Sequence, residues 1–298
     1  MLGLGRVMLS PAHGISVSTR AVDLVAEATV IDMLSLLTLD WSRLRRWQYS
    51  PESFGEEDFR YLEASGIQIF HPAVEPRAAD PRERAKQWLA RWRNLLGNRP
   101  CFLTPVGSLT DLLQASRVGK LGVLVGFQSS DHFRDVDDVE LFFGWGQRVS
   151  QLTYNDRNRL GSGCFAVPDT GLTPFGAEVV AAMNRLGMAV DISHCGERTS
   201  VEAIATSRKP VLVTHSNCRA LVPHQRRNKS DRVIELMAAV ADLPAARPRP
   251  AVAGLPDRRW AVAPRLRRCR RGADPGRQLP ARPRRYLGGC ALHGRARA

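Results

Sequence analysis

Met188-Ala-Val-Asp-Ile-Ser-His194 and Pro210-Val-Leu-Val-Thr-His215 are the two stretches on which the fold reading turns. Each is a short apolar run, rich in β-branched residues, that closes on a histidine, and an amphipathic segment with room for one helix lies between them. Strand-length apolar runs alternating with helix-length amphipathic stretches are the pattern of βα units and a parallel sheet. Working back towards the N-terminus, the pattern recurs at Val149–Tyr154, Gly122–Phe127, Gly66–His71 and Val30–Leu37. Six candidate strands are therefore predicted, in an α/β chain whose length suits one large domain.

The clearest helix between them is Thr173–Leu186, where Phe175, Val179, Met183 and Leu186 recur at spacings of three and four and form one apolar stripe. Thr199-Ser-Val-Glu202 predicts a capping box opening the next helix. A last helix is expected over Asp231–Ala239, after which the regular pattern stops and no seventh or eighth strand is recognisable. A barrel missing two strands would expose two unpaired edges.

Composition changes at the same point. Residues 241–298 carry 15 Arg and 3 Asp with no Lys or Glu, a net +12 out of the chain's +14, so the preceding 240 residues are close to neutral. This segment also holds 12 Ala and 8 Pro but no Ile, Phe, Met, Ser or Thr, and it can bury little. Its residue types are largely those of G- and C-rich codons, as expected of a gene end read out of frame, with a genuine basic tail as the alternative. The charge argues weakly for nucleic acid, because stacking platforms need aromatics among the arginines and only Trp260 and Tyr286 are present. No specific nucleic-acid partner is expected. The expected organisation is an extension over 1–24, a catalytic-size domain over 25–240 and an Arg/Pro/Ala-rich tail over 241–298.

The six cysteines form no CxxC pair and read as reduced thiols. The first 20 residues lack a signal-peptide core, and no run of about 18 apolar residues occurs. A cytoplasmic protein without membrane insertion is the expectation.

Parallel α/β barrels carry their chemistry at the C-terminal ends of strands. His194 and His215 stand at two such ends, where neutral imidazoles are suitable zinc ligands, although a single strand-end histidine is more often a satisfied structural group. His71, before Pro72 at the end of the second run, is a further candidate, and His132 a candidate pocket residue. Asp32 reads as structural, and Asp40-Trp41 as local packing after the first strand.

Several motifs then converge on a known family. Gln151-Leu-Thr-Tyr-Asn-Asp-Arg-Asn-Arg-Leu-Gly-Ser-Gly-Cys164, Gly171-Leu-Thr-Pro-Phe-Gly176, Met183-Asn-Arg-Leu-Gly-Met188, Asp191-Ile-Ser-His-Cys195 and Thr214-His-Ser-Asn-Cys-Arg-Ala-Leu221 resemble the membrane dipeptidases, also called renal dipeptidase-like or peptidase family M19. The resemblance runs from about Val25 to Ala239. It implies a (β/α)8 TIM-type barrel, incomplete here, with two bridged zinc ions that hydrolyse dipeptides or related small amides. By this resemblance His194 and His215 match the histidines on the second metal, Arg227 matches the arginine that binds the substrate carboxylate, and Tyr154 stands where a substrate-contacting histidine is found. A homodimer is the assembly the resemblance allows.

The same resemblance exposes departures. Where the family has Asp-x-His-x-Asp, this chain reads Asp32-Met33-Leu34-Ser35-Leu36, so leucine replaces both first-metal ligands, and the bridging glutamate is replaced by Gln128. The late catalytic aspartate has no counterpart, which leaves the catalytic residues unassigned. Two readings stay open: a metallodipeptidase with a reduced metal site, and a non-catalytic barrel that binds a small carboxylate.

Overall fold

The computed structural model describes residues 18–115 and 118–241. The expected extension up to residue 17 and the basic tail from 242 onward lie outside the described residues. Within them the chain runs α1 (Thr19–Glu27), β1 (Ile31–Asp32), α2 (Trp41–Tyr49), α3 (Glu56–Glu63), β2 (Ile69–Phe70), β3 (Ala73–Val74), α4 (Pro81–Asn98), β4 (Leu103–Pro105) and α5 (Leu109–Ala115). It continues with β5 (Leu121–Val123), β6 (Gly126–Phe127), α6 (Asp137–Gly144), β7 (Val149–Gln151), α7 (Pro174–Leu186), β8 (Ala189–Asp191), α8 (Glu197–Thr206) and α9 (Asp231–Ala241).

All strand pairs are parallel, in the orders β1-β2-β5-β4 and β3-β6-β7-β8. The two sets share continuous chain. Leu124 N donates to Phe70 O at 2.9 Å and Gly126 N to Pro72 O at 3.0 Å, so β2–β3 and β5–β6 are two long strands lying side by side. Beyond β8, Leu212 forms a single parallel bridge with Asp191. The six predicted runs therefore stand next to one another in chain order, each a wall neighbour of the next. Their regular parts are shorter than predicted: Val30–Leu37 keeps two strand residues, and Pro210–His215 is reduced to the one bridge. β4 was not expected. Its three residues end in Pro105, and a proline-terminated run this short carries no period-2 signal.

The helices pack outside the strands for reasons visible in their sequences. Thr173 caps α7, its hydroxyl accepting from Gly176 N at 3.0 Å, Pro174 occupies the first turn, and Gly187 ends the helix at φ +82°. The buried stripe is Val179, Val180, Ala182 and Met183. Phe175, at the start of the expected stripe, is only half-buried and lies under the Arg159 guanidinium at 4.7 Å. Burying side chains of the size of Val179 and Met183 contributes roughly 1.5–3 kcal/mol each.

Thr199 does not open a helix. α8 begins at Glu197 behind Gly196, and Thr199 in its first turn accepts from Ser162 N at 3.0 Å while Glu202 accepts from Leu172 N at 2.7 Å. These side chains satisfy the long β7–α7 loop instead of capping their own helix.

A second apolar centre fills the space around α2, α3 and α4, where Trp47, Phe54, Phe59 and Trp92 are fully buried. Trp47 meets Phe54 edge-on at 5.0 Å and Trp88 meets Trp92 at 5.7 Å. Cys164, Cys195 and Cys218 are free thiols as expected, but Cys101, in the half-buried turn before β4, is disulfide-bonded and departs from that expectation. Among the described residues no helix is long and apolar enough to cross a membrane.

Candidate metal centre

The parallel register carries β8 and the neighbouring strand end side by side, and their terminal histidines meet. His194 Nε2 lies 3.0 Å from His215 Nε2. The opposite nitrogens are held by different partners. His194 Nδ1 lies 2.9 Å from Asn155 Oδ1, an acceptor, so Nδ1 carries the proton. His215 Nδ1 lies 2.8 Å from Thr214 Oγ1, whose own hydroxyl donates to Asp191 Oδ2 at 2.7 Å. The Thr214 oxygen therefore accepts from His215 Nδ1–H. Both Nε2 atoms are left with lone pairs pointing at each other.

Two lone pairs at that distance repel unless a proton or a cation sits against them. Two nitrogens on one tetrahedral zinc at about 2.0–2.1 Å each are about 3.3 Å apart, so a shift of a few tenths of an ångström would admit the ion. The donor set fits a zinc-type cation in its chemistry, with two oriented imidazoles as ligands. Among the described residues no group of three or more His, Cys, Asp or Glu stands where it could hold a metal, so the remaining positions would fall to water or substrate.

Electrostatics keep the pair neutral. Burial pushes His194 down to about 2, helped by the nearby Arg227 charge, and pushes His215 down to about 4 against the opposing influence of Asp191. Neutral imidazole is the form that ligates. Tyr154 stacks on the His194 ring with centroids 4.1 Å apart and planes at 19°, limiting rotation of that ring. Gly163 makes this possible: a Cβ there would collide with Tyr154 O and with the Asn155 backbone.

Arg227 reaches both strand ends. Its Nη1 donates to Ser193 O at 2.5 Å and its Nη2 to His215 O at 2.6 Å, and burial lowers its pKa. A guanidinium has five N–H donors, so three remain beyond these two contacts. Lys229, 4 % exposed, anchors the same loop by donating to Cys195 O at 2.8 Å and Ser200 Oγ at 3.0 Å.

The other sequence candidates divide. Leu34 is exposed, and Asp32 accepts from its amide at 3.0 Å in a local turn, as the structural reading of Asp32 required. Leu36 and Gln128 line one cavity, whose lining does not include His194 or His215, and the Gln128 amide donates to Ala73 O at 2.9 Å. His71 is buried and gives its Nδ1 proton to Leu124 O at 2.6 Å. His132 does not line a pocket. It is fully buried among Phe127, Phe133 and Phe142, with Nε2 3.0 Å from Gln147 Oε1, and burial pushes it down to about 4. Asp40 caps α2 by accepting from Arg43 N at 3.0 Å, whereas Trp41 is 58 % exposed and not packed.

Sequence reasoning missed Asn155, Ser193 and the Asp191–Thr214 relay. All lie inside quoted motifs, next to residues that were singled out, but only three-dimensional proximity reveals their roles.

The described strands form a parallel α/β wall with paired histidines at its C-terminal edge, the edge at which folds of this class carry their sites. Residues 18–241 match the membrane dipeptidase family (peptidase family M19), and the chain belongs to that family. A dipeptidase from Claviceps purpurea, tcpJ, is 35% identical over 128 residues, which cover 42% of this chain and 30% of that protein. Among solved structures, an amidohydrolase from Pseudomonas aeruginosa superposes with a TM-score of 0.60 at 29% identity, covering 74% of this chain and 62% of its own. A metallopeptidase from Rhodobacter sphaeroides, liganded with a phosphinate mimic of the dipeptide L-Ala-D-Ala, has a TM-score of 0.57 at 20% identity and covers 71% of each chain, a likeness of fold. This chain spans about 29% to 47% of the length of the curated relatives it matches.

Proposed function

We propose that the chain is a dipeptidase-type metallohydrolase in which His194 and His215 hold a single zinc ion and a dipeptide or related small amide is the substrate. The observation that carries this reading is the pair of converging Nε2 lone pairs 3.0 Å apart, each imidazole oriented by a hydrogen bond to its other nitrogen. When bound, the metal would polarise the scissile carbonyl and acidify a water.

The chain's own residues then have definite tasks. Asn155 and the Asp191–Thr214 relay fix the imidazole tautomers, and the Tyr154 ring holds His194 in place. Arg227, beside both histidines, retains donors for a substrate carboxylate, a group that guanidinium grips with two parallel hydrogen bonds. A cavity of about 320 Å³ opens next to Tyr154, and its lining carries both signs of charge, Glu75, Asp131 and Asp156 with Arg77, Arg157 and Arg159. A zwitterionic dipeptide matches that mixture.

A second reading has its own support. Leu34, Leu36 and Gln128 remove the first-metal ligands and the bridge that the family resemblance requires, which favours binding of a small carboxylate without turnover. One experiment separates the two. Titration of the full chain with zinc, read by calorimetry, is expected to saturate at one ion per chain, and His215→Ala is expected to abolish it. The zinc-loaded chain is then assayed with an L-D dipeptide. Cleavage that disappears in His215→Ala supports the hydrolase. Saturable dipeptide binding with no product supports the non-catalytic reading, and no zinc uptake removes the metal assignment.

A further inference from the structure

We propose that Cys164 is a positioning residue for the histidine pair: its thiol holds the Asn155 amide in the orientation that keeps the His194 proton on Nδ1 and leaves Nε2 free. The consequence for zinc rests on the metal reading above, whereas the tautomer itself belongs to the metal-free chain.

The Asn155 amide is the part of the site with two possible settings. Its oxygen and its NH2 group are nearly equal in size, and turning the amide over exchanges an acceptor for donors. With Oδ1 towards the ring at 2.9 Å, His194 Nδ1 carries the proton. With the NH2 towards the ring, Nδ1 must accept, the proton moves to Nε2, and the lone pair facing His215 is lost. That second setting has a drive of its own. It turns the 3.0 Å contact between the two Nε2 atoms into an N–H···N hydrogen bond and ends the repulsion of their lone pairs. Nothing on the NH2 side opposes it, because Asn155 Nδ2 has no acceptor among the described residues.

Cys164 opposes it from the oxygen side. Its Sγ lies 3.7 Å from Asn155 Oδ1, the same oxygen that accepts from His194. Burial pushes the pKa of this thiol up, so it keeps its proton and remains a donor. A turned amide would leave the S–H without an acceptor and offer the NH2 only sulfur, which accepts weakly. The thiol is also fixed in place. Cys164 is 3 % exposed, its amide donates to His194 O at 2.8 Å, and Gly163 before it bridges to Cys195. One residue thus holds the His194 backbone directly and the His194 imidazole through Asn155.

The test reads the His194 tautomer by nitrogen–proton correlation NMR of the zinc-free full chain near neutral pH, and zinc affinity by competition with a chromophoric chelator. The wild-type chain is expected in the Nδ1–H form. Cys164→Ala is expected to populate the Nε2–H form and to weaken zinc binding about fivefold, the effect of one neutral hydrogen bond. Cys164→Ser keeps a donor and is expected to stay near wild type in both readouts. Should Cys164→Ala not fold, Cys164→Val fills the space without a donor and carries the same expectation. In an Asn155→Asp background the carboxylate has no donor side to turn, so Cys164→Ala is expected to change neither readout. Equal losses in the two backgrounds would mark a packing role and overturn the proposal. So would a wild-type chain already in the Nε2–H form, or an unchanged tautomer in folded Cys164→Ala. A tautomer that depends on Cys164, found together with no zinc uptake, supports the positioning role and removes the metal reading alone.

Discussion

At the scale of single residues, the departures at 34, 36 and 128 are the sharpest chemical statement in the chain. An alkyl side chain has no lone pair to offer a dication, and a neutral amide is a weaker bridge than a carboxylate. Leu34→His, Leu36→Asp and Gln128→Glu introduced together are expected to raise zinc uptake from one ion to two per chain, measured by metal analysis after gel filtration. Uptake that stays at one would show that the strand-one corner, with Arg45, Arg84 and Arg91 nearby, rejects a second cation whatever its ligands. His194 and His215 were legible in the sequence because they end two apolar runs. Their mutual orientation was not, since it depends on Asn155 and Asp191, which approach the imidazoles from a neighbouring loop and strand end.

At the scale of elements, α7 is the clearest case of local sequence writing local structure. Its cap, first-turn proline and terminal glycine were all present in Gly171-Leu-Thr-Pro-Phe-Gly176 and Gly187. Thr173→Ala removes the hydroxyl that satisfies Gly176 N and is expected to cost about 1 kcal/mol of unfolding free energy, read from urea transitions. An unchanged midpoint would mean that tertiary packing of Val179 and Met183 holds the first turn without its cap. α8 shows the converse. The Thr199–Glu202 spacing is that of a capping box, yet both side chains are taken by amides of the β7–α7 loop. A short motif cannot register competition from residues some 30 positions away.

At the scale of the whole molecule, the fold buries His132 as if it were apolar, and acid stability is expected to record this. His132 sits at about 4 inside its phenylalanine cluster. A histidine whose folded pKa lies below its unfolded value of about 6.5 takes up its proton first in the unfolded chain. Its stabilising effect is therefore complete above about pH 6.5 and is lost as pH falls towards 4. At pH 5 the loss from His132 alone is about 2 kcal/mol relative to pH 7. His132→Phe is expected to lessen the pH 7 to 5 drop in unfolding free energy by that amount, leaving the contributions of His194 and His215. An identical drop in the variant would place the titrating group elsewhere.

By itself the sequence determined the class of fold, the six runs that stand side by side in chain order and the two strand ends that carry the histidine pair. Those features rest on the period of apolar residues and on short motifs, and both are local properties of a chain. Tertiary structure alone decided how long each strand is, where β4 joins, which nitrogen of each imidazole is free, and that Leu36 and Gln128 line one cavity. Each of these depends on which distant groups compete for the same hydrogen bond or the same space, and such competition exists only once the strands stand side by side.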